Sequence, residues 1–212
     1  MTVGLLKLQE LKASGHYIDY KLSEYDAIKT FIEQIQSMHT ICVVGGNTNL
    51  DLFYATQNLN PPPSIYNFDD NGECDRFDHV YEQYKKIFAF KGKYQHYKIA
   101  VLNLSKIFSM LNVDNKDTNM PLCLMLNAHQ DGLYELVDSG QYPAYTIVSH
   151  YGKYKFVEPI LNYAKHNKLI MMSDNLAFFI NDKSKQQFKF DHTSLNTIKR
   201  NWFEHQNIDW II

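Results

Sequence analysis

The sequence predicts an α/β domain built on a doubly wound, mostly parallel sheet, with helices on both faces and an antiparallel hairpin at its C-terminal end. Three observations predict it. Five short runs rich in β-branched and apolar residues alternate with segments of helical periodicity, the pattern of a parallel sheet covered on both sides. Two further apolar runs follow, joined only by a short loop containing Asp174-Asn175, which is hairpin spacing. Polar residues gather where the predicted strands end, as they do on the ligand-binding rim of such sheets. The chain has 212 residues, which suits one domain with a sizeable core. Residues 1–39 read as an N-terminal helical segment packed on the core, 40–190 as the α/β core, and 191–212 as an apolar tail.

Leu5, Leu8 and Leu11 recur at helical spacing, and Gly15 ends that helix. "SEYDAIKTFIEQIQSM" predicts an amphipathic helix from Ser23 to Met38, with Ser23 as its cap and Ile28, Phe31, Ile32 and Ile35 as its buried stripe. Thr40–Val44 is a buried strand, broken by Gly45-Gly46. A helix over 50–59 ends at Pro61-Pro62-Pro63, which cannot continue it. Ser64–Phe68 is the second strand, followed by "DDNGECD" and a helix over 77–90. Tyr97–Leu102 is the third strand and Ile107–Leu111 a short helix. Leu122–Leu126 is the fourth strand, with a helix or turn over 132–139. Ala144–Ser149 is the fifth strand and Phe156–His166 a helix. Leu169–Ser173 and Ala177–Ile180 form the hairpin, and Phe188–Phe190 is a candidate added edge. Trp202, Phe203, Trp210, Ile211 and Ile212 concentrate apolar surface at the tail, which either docks on the core or makes a homo-oligomer contact.

Composition narrows the function classes. The formal charge is −2, so a broad nucleic-acid surface is not expected. Arginine occurs only at Arg76 and Arg200, which makes bidentate phosphate clamps scarce. Cys42, Cys74 and Cys123 are few and widely spaced, so neither a thiolate metal site nor a disulfide framework is expected. No signal peptide or membrane span is read. A cytoplasmic protein of a bacterium or a phage-infected host is the expectation. The wealth of Lys, Asn and Tyr is what an AT-rich genome encodes.

Three clusters on the predicted rim carry chemistry. Gly45-Gly46 precedes a helix and brings backbone N–H groups to a polar ligand, or simply makes a tight turn. Asp69-Asp70 ends a strand. A carboxylate there accepts from vicinal ribose hydroxyls, or a pair holds a divalent cation for a sugar nucleotide; "DDNG" is also good turn chemistry. His129, Asp131 and His150 are the catalytic candidates, as proton acceptors or ligands of a divalent metal, with an exposed polar rim as the plain alternative. Asn103 and Asn127 end the third and fourth strands. Tyr134, Tyr151 and Tyr154 are candidates for an acceptor pocket.

"VVGGNTNLDLF", "IYNFDDN", "LMLNAHQDGLYELVDSG" and "AYTIVSHYGKYKFVEPILNYAKHN", with "LIMMSDNLAFFIND" as hairpin, resemble in order the class I S-adenosylmethionine-dependent methyltransferases over residues 40–181. The resemblance implies the Rossmann-like fold of that family and S-adenosylmethionine as cofactor. It implies that Gly45, Gly46 and Asn47 adjoin the cofactor, that Asp69 holds its ribose, and that Asp70, Asn103 and Asn127 on the same rim complete the cofactor-binding set. It implies methylation of a hydroxyl on a small molecule or sugar, with His129 or His150 as base, or with a metal held by His129, Asp131 and His150. The motif departs from the family at Val43, where an acid is usual, and at Asn47 and Asn49, where glycines are usual. Asn127 stands where metal-dependent members carry an acid. Two other readings remain: a glycosyltransferase using Asp69-Asp70 and a divalent metal, and a non-catalytic phage or assembly protein that keeps the fold.

Overall fold

The computed structural model describes residues 3–15, 20–35, 37–46, 50–69, 74–99, 103–111, 121–127 and 129–181, with the backbone alone at 3, 74–80 and 154. The expectations placed on Asn47, Asn49 and Asp70, on the edge at Phe188–Phe190 and on the apolar tail lie outside these residues. Among the described residues seven strands form one sheet: β1 (Thr40–Val44), β2 (Ser64–Phe68), β3 (Tyr94–Tyr97), β4 (Cys123–Asn127), β5 (Tyr145–Ser149), β6 (Asn167–Met172) and β7 (Leu176–Asn181). Their order is β3-β2-β1-β4-β5-β7-β6. β1 pairs in parallel with β2 and β4, β2 with β3, and β4 with β5. β7 inserts antiparallel between β5 and β6. This is the predicted mostly parallel sheet with its closing hairpin.

The helices are α1 (Val3–Ala13), α2 (Leu22–Gln34), α3 (Leu50–Thr56), α4 (Cys74–Ile87), α5 (Leu104–Met110), α6 (Gln130–Ser139) and α7 (Val157–Ala164), with a 3-10 turn at Tyr154–Phe156. Side chains of a strand alternate between faces, and the two cores follow that alternation. Ile41, Val43, Cys123 and Met125 pack with Leu8 of α1, Ile28, Phe31 and Ile32 of α2, and Phe53 of α3. Cys42, Val44, Leu124 and Leu126 pack on the opposite face with Ile107, Leu133 and Ile160. Buried on both faces, the central strands need apolar residues at every position, which is why they read as unbroken runs. Each fully buried Ile, Leu or Phe contributes roughly 1.5–3 kcal/mol. Cys42 and Cys123 are buried free thiols. Among the described residues no helix is long and apolar enough to cross a membrane.

Two boundaries differ from expectation in ways that matter. The third strand is Tyr94–Tyr97, not Tyr97–Leu102. It is the sheet edge and half-buried throughout, so it carries no apolar run to announce it. The second helix begins at Leu22, and Glu24 rather than Ser23 closes its first turn by accepting from the Lys21 backbone N–H at 2.9 Å.

Candidate cofactor cleft and strand-end site

β1 is where the sheet reverses its direction of winding, because β2 and β4 flank it and lead outward on opposite sides. The crevice beyond its carboxyl end is the ligand position of such sheets. Gly45 sits there with φ 70°, and its N–H donates to the Phe68 carbonyl at 2.8 Å. A Cβ on Gly45 would lie 2.6 Å from the Asn127 carbonyl oxygen. Neither the backbone nor the space admits a side chain. The Gly46 carbonyl is fixed from beneath by the Asn67 amide, which donates to it at 2.7 Å. Asn67 is 0 % exposed, and its Oδ1 is buried with no hydrogen-bond partner among the described residues. Asp69 follows β2, half-buried at the rim, with its N–H on the Tyr97 carbonyl at 3.2 Å. The loop and the strand-end acid therefore stand on neighbouring strands.

The β4–β5 half of the rim is closed by a residue the sequence reading did not single out. Tyr20, 6 % exposed, reaches over from the segment before α2. Its hydroxyl lies 2.9 Å from Ser149 Oγ, 3.2 Å from Asn127 Oδ1 and 3.4 Å from the Tyr151 hydroxyl. Its ring stacks on Tyr151 with centroids 5.7 Å apart and planes 12° apart, and meets Tyr25 edge-on. Burial raises the Tyr20 phenol well above its ordinary value, and the Tyr151 hydroxyl and Asp51 carboxylate push it further. Asp51, in the first turn of α3, is thus a buried acid acting on the same spot.

Glu24 holds this arrangement. It is 3 % exposed, and its carboxylate accepts from Ser173 Oγ at 2.6 Å, Asn175 N–H at 3.1 Å, Asn175 Nδ2 at 2.8 Å and the Lys21 N–H. Lys21 Nζ also pairs with Asp174. The start of α2 is thereby tied to the β6–β7 turn. That turn grips the end of β5 in its own right, because the Asn175 carbonyl accepts from the N–H groups of His150 and Tyr151.

The three catalytic candidates have separate positions. His150 is 0 % exposed and accepts from the Gly152 N–H through Nδ1 at 3.1 Å. Burial lowers its pKa to about 4, against weaker raising influences from the Leu176 and Ser173 carbonyls and from Glu24, so it is neutral near pH 7. His129 caps α6, with Nδ1 accepting from the Gly132 N–H at 3.0 Å. A neutral imidazole that accepts through Nδ1 carries its hydrogen on Nε2. Asp131 is exposed in the first turn of α6, and its charge, with that of Glu158, acts on Tyr134. Among the described residues no group of three His, Cys, Asp or Glu side chains is placed to hold a metal ion, so the metal set expected from His129, Asp131 and His150 is not assembled. Asn127 Oδ1, the expected hard-cation donor, accepts from Tyr20 instead. Asn103 spends its side chain capping α5, accepting from the Lys106 N–H at 2.8 Å.

Tyr20, Glu24, Asp51 and Asn67 were not foreseen. Asp51 and Asn67 flank predicted features and were within reach of closer reading. Tyr20 and Glu24 act across sequence separations of 107 to 151 residues, and no local pattern signals that.

No family model and no curated protein sequence matches the chain. Solved structures do match in fold. The O-methyltransferase TomG from Streptomyces achromogenes, involved in tomaymycin synthesis and solved in complex with SAM, aligns at 9 % identity over 85 % of this chain and 90 % of its own, with a TM-score of 0.57. An O-methyltransferase from Bacillus cereus in complex with SAH aligns at 8 % identity over 85 % and 92 %, with a TM-score of 0.56. The chain has the Rossmann-like fold of the class I methyltransferases.

Proposed function

We propose that this protein binds S-adenosylmethionine beyond β1 and β2 and transfers its methyl group to a hydroxyl of a small molecule or sugar. The observation that carries the reading is Gly45. Its positive φ, and the 2.6 Å at which an added Cβ would meet the Asn127 carbonyl, keep the turn stripped of side chain at the point where the sheet's winding reverses. A cofactor needs that bare backbone. The fit extends to Asp69, whose strand-end position suits two vicinal hydroxyls, and to Asn67 Oδ1 below the loop, which has no hydrogen-bond partner among the described residues.

When bound, S-adenosylmethionine supplies an electrophilic methyl group. The chain's own part is to hold the two reactants in line and to accept the hydroxyl proton. Gly45 and Gly46 offer the backbone surface, and Asp69 orients the ribose. The acceptor approaches from the neighbouring strand ends, β4 and β5. His129 and His150 each accept a backbone N–H through Nδ1, so neither offers a lone pair on its other nitrogen. The buried Asp51 carboxylate, whose Oδ1 accepts from the Leu52 N–H at 2.9 Å, adds negative charge near those strand ends. No metal is assigned. The sugar-nucleotide reading rests on Asp69 with Asp70, and no described feature adds to it.

A second reading, a non-catalytic protein that keeps the fold, is favoured by one observation: Tyr20 fills the β4–β5 end with the chain's own side chain. Calorimetric titration with S-adenosylhomocysteine separates the two. Saturable binding supports the transferase reading; no heat from folded protein supports the scaffold.

A further inference from the structure

We infer that the Tyr20 phenol is a built-in occupant of the acceptor subsite, held by the Glu24 latch, and that residues 20–24 lift from the β6–β7 turn before an acceptor binds. This deepens the methyl-transfer reading and rests on it. If the cofactor adjoins Gly45 on β1, the atom to be methylated arrives at the adjoining ends of β4 and β5. A hydroxyl already stands there. It lies between Ser149 Oγ and Asn127 Oδ1, at 2.9 and 3.2 Å, with its ring laid flat on Tyr151. Two hydrogen-bonding groups and an aromatic shelf are what a hydroxylated ring requires, and Asp51 bears on the same oxygen.

The occupant packs in the core cluster on the α1–α3 face of the sheet, but it lies on the connecting segment before α2 and not on a strand. Tyr20 precedes α2 and is held directly by Ser149, Asn127, Tyr151 and Tyr25 and at one remove by Glu24, whose four donors come from the β6–β7 turn and from Lys21. The shelf is fixed separately. Tyr151 has φ 50° and its N–H on the Asn175 carbonyl at 3.2 Å, contacts that do not pass through Tyr20. Only the plug therefore needs to move. The outer tie, Lys21 to Asp174, is exposed, with side chains 65 % and 47 % accessible, and exposed pairs of this kind hold weakly.

The test uses the full chain, phenol as the probe, and Glu24→Gln, which keeps Tyr20 and the side-chain volume but removes the latch charge. A subsite closed most of the time binds with an apparent affinity reduced by the open fraction. Phenol is therefore expected to bind Glu24→Gln about tenfold more tightly than the wild type. Adding phenol to the wild type is expected to speed hydrogen exchange at residues 21–25 while slowing it at 150–152. A purely structural tyrosine moves neither quantity. If Glu24→Gln fails to fold, Ser173→Ala removes one of the four donors and is expected to give a smaller shift in the same direction. S-adenosylhomocysteine is titrated in parallel. Equal phenol affinities with cofactor-product binding intact overturn the plug alone. Loss of that binding in the wild type overturns the methyl-transfer reading, and with it the subsite's identity as the acceptor's.

Discussion

Replacing His150 by asparagine should flatten the acid limb of the protein's stability curve. The imidazole is fully buried and held at a pKa of about 4 by burial, against about 6.5 for a free histidine. The folded state therefore binds one proton fewer than the unfolded state between those values. Stability rises with pH wherever the unfolded state binds more protons. The contribution is complete above pH 6.5 and is lost as pH falls towards 4. Linkage puts the loss at ~2 kcal/mol by pH 5 and ~3 kcal/mol by pH 4. Asparagine retains an acceptor for the Gly152 N–H near the place of Nδ1 and has no proton to take up. It removes ring volume, so the variant starts less stable at pH 7, but the gap should close as the pH drops. Urea unfolding of both proteins at pH 7, 6, 5 and 4.5 measures this. Curves that stay parallel to pH 5 would refute the burial argument and return His150 to the list of exposed, titrating candidates.

Gly45→Ala should destabilise the fold by on the order of 3 kcal/mol, or about 9 °C in melting temperature for a chain of this size. The cost combines a side chain at positive φ with a 2.6 Å clash against the Asn127 carbonyl. Thermal unfolding followed by circular dichroism would detect it; a change under 2 °C means the loop is free to relax. Glu24→Ala leaves Ser173, Asn175 and the Lys21 N–H without their acceptor, and roughly 3 kcal/mol should be lost. Denaturant titration with an unchanged m-value reads that loss directly.

The sheet was legible because its central strands are buried on both faces. Burial on two sides forces apolar residues at successive positions, and β1 and β2 begin and end where their sequence changes character. The edge strand β3 lacks that constraint. Its half-buried Tyr94, Gln95, His96 and Tyr97 were passed over for the more apolar residues that follow. The site was legible in position more than in role. Gly45, Asp69, Asn127 and His150 do stand at strand ends, as the alternation of elements requires. What each side chain does there depends on partners brought in by the fold. His150 is kept neutral by burial, Asn127 is claimed by Tyr20, and Asn103 and His129 are consumed by helix capping. Tyr20 and Glu24 escaped notice because their significance lies in contacts with β4, β5 and the hairpin turn, more than a hundred residues away in the chain.

The central claim is that the bare turn at Gly45 and the acid at Asp69 together hold a nucleoside cofactor. Calorimetric titration of the full chain with S-adenosylhomocysteine, repeated on Asp69→Asn, tests it most directly. The account predicts saturable one-to-one binding by the wild type, weakened about tenfold in the variant by loss of a charged acceptor, with both proteins melting alike. Absence of binding by folded wild-type protein, or equal affinity in the two, would contradict it.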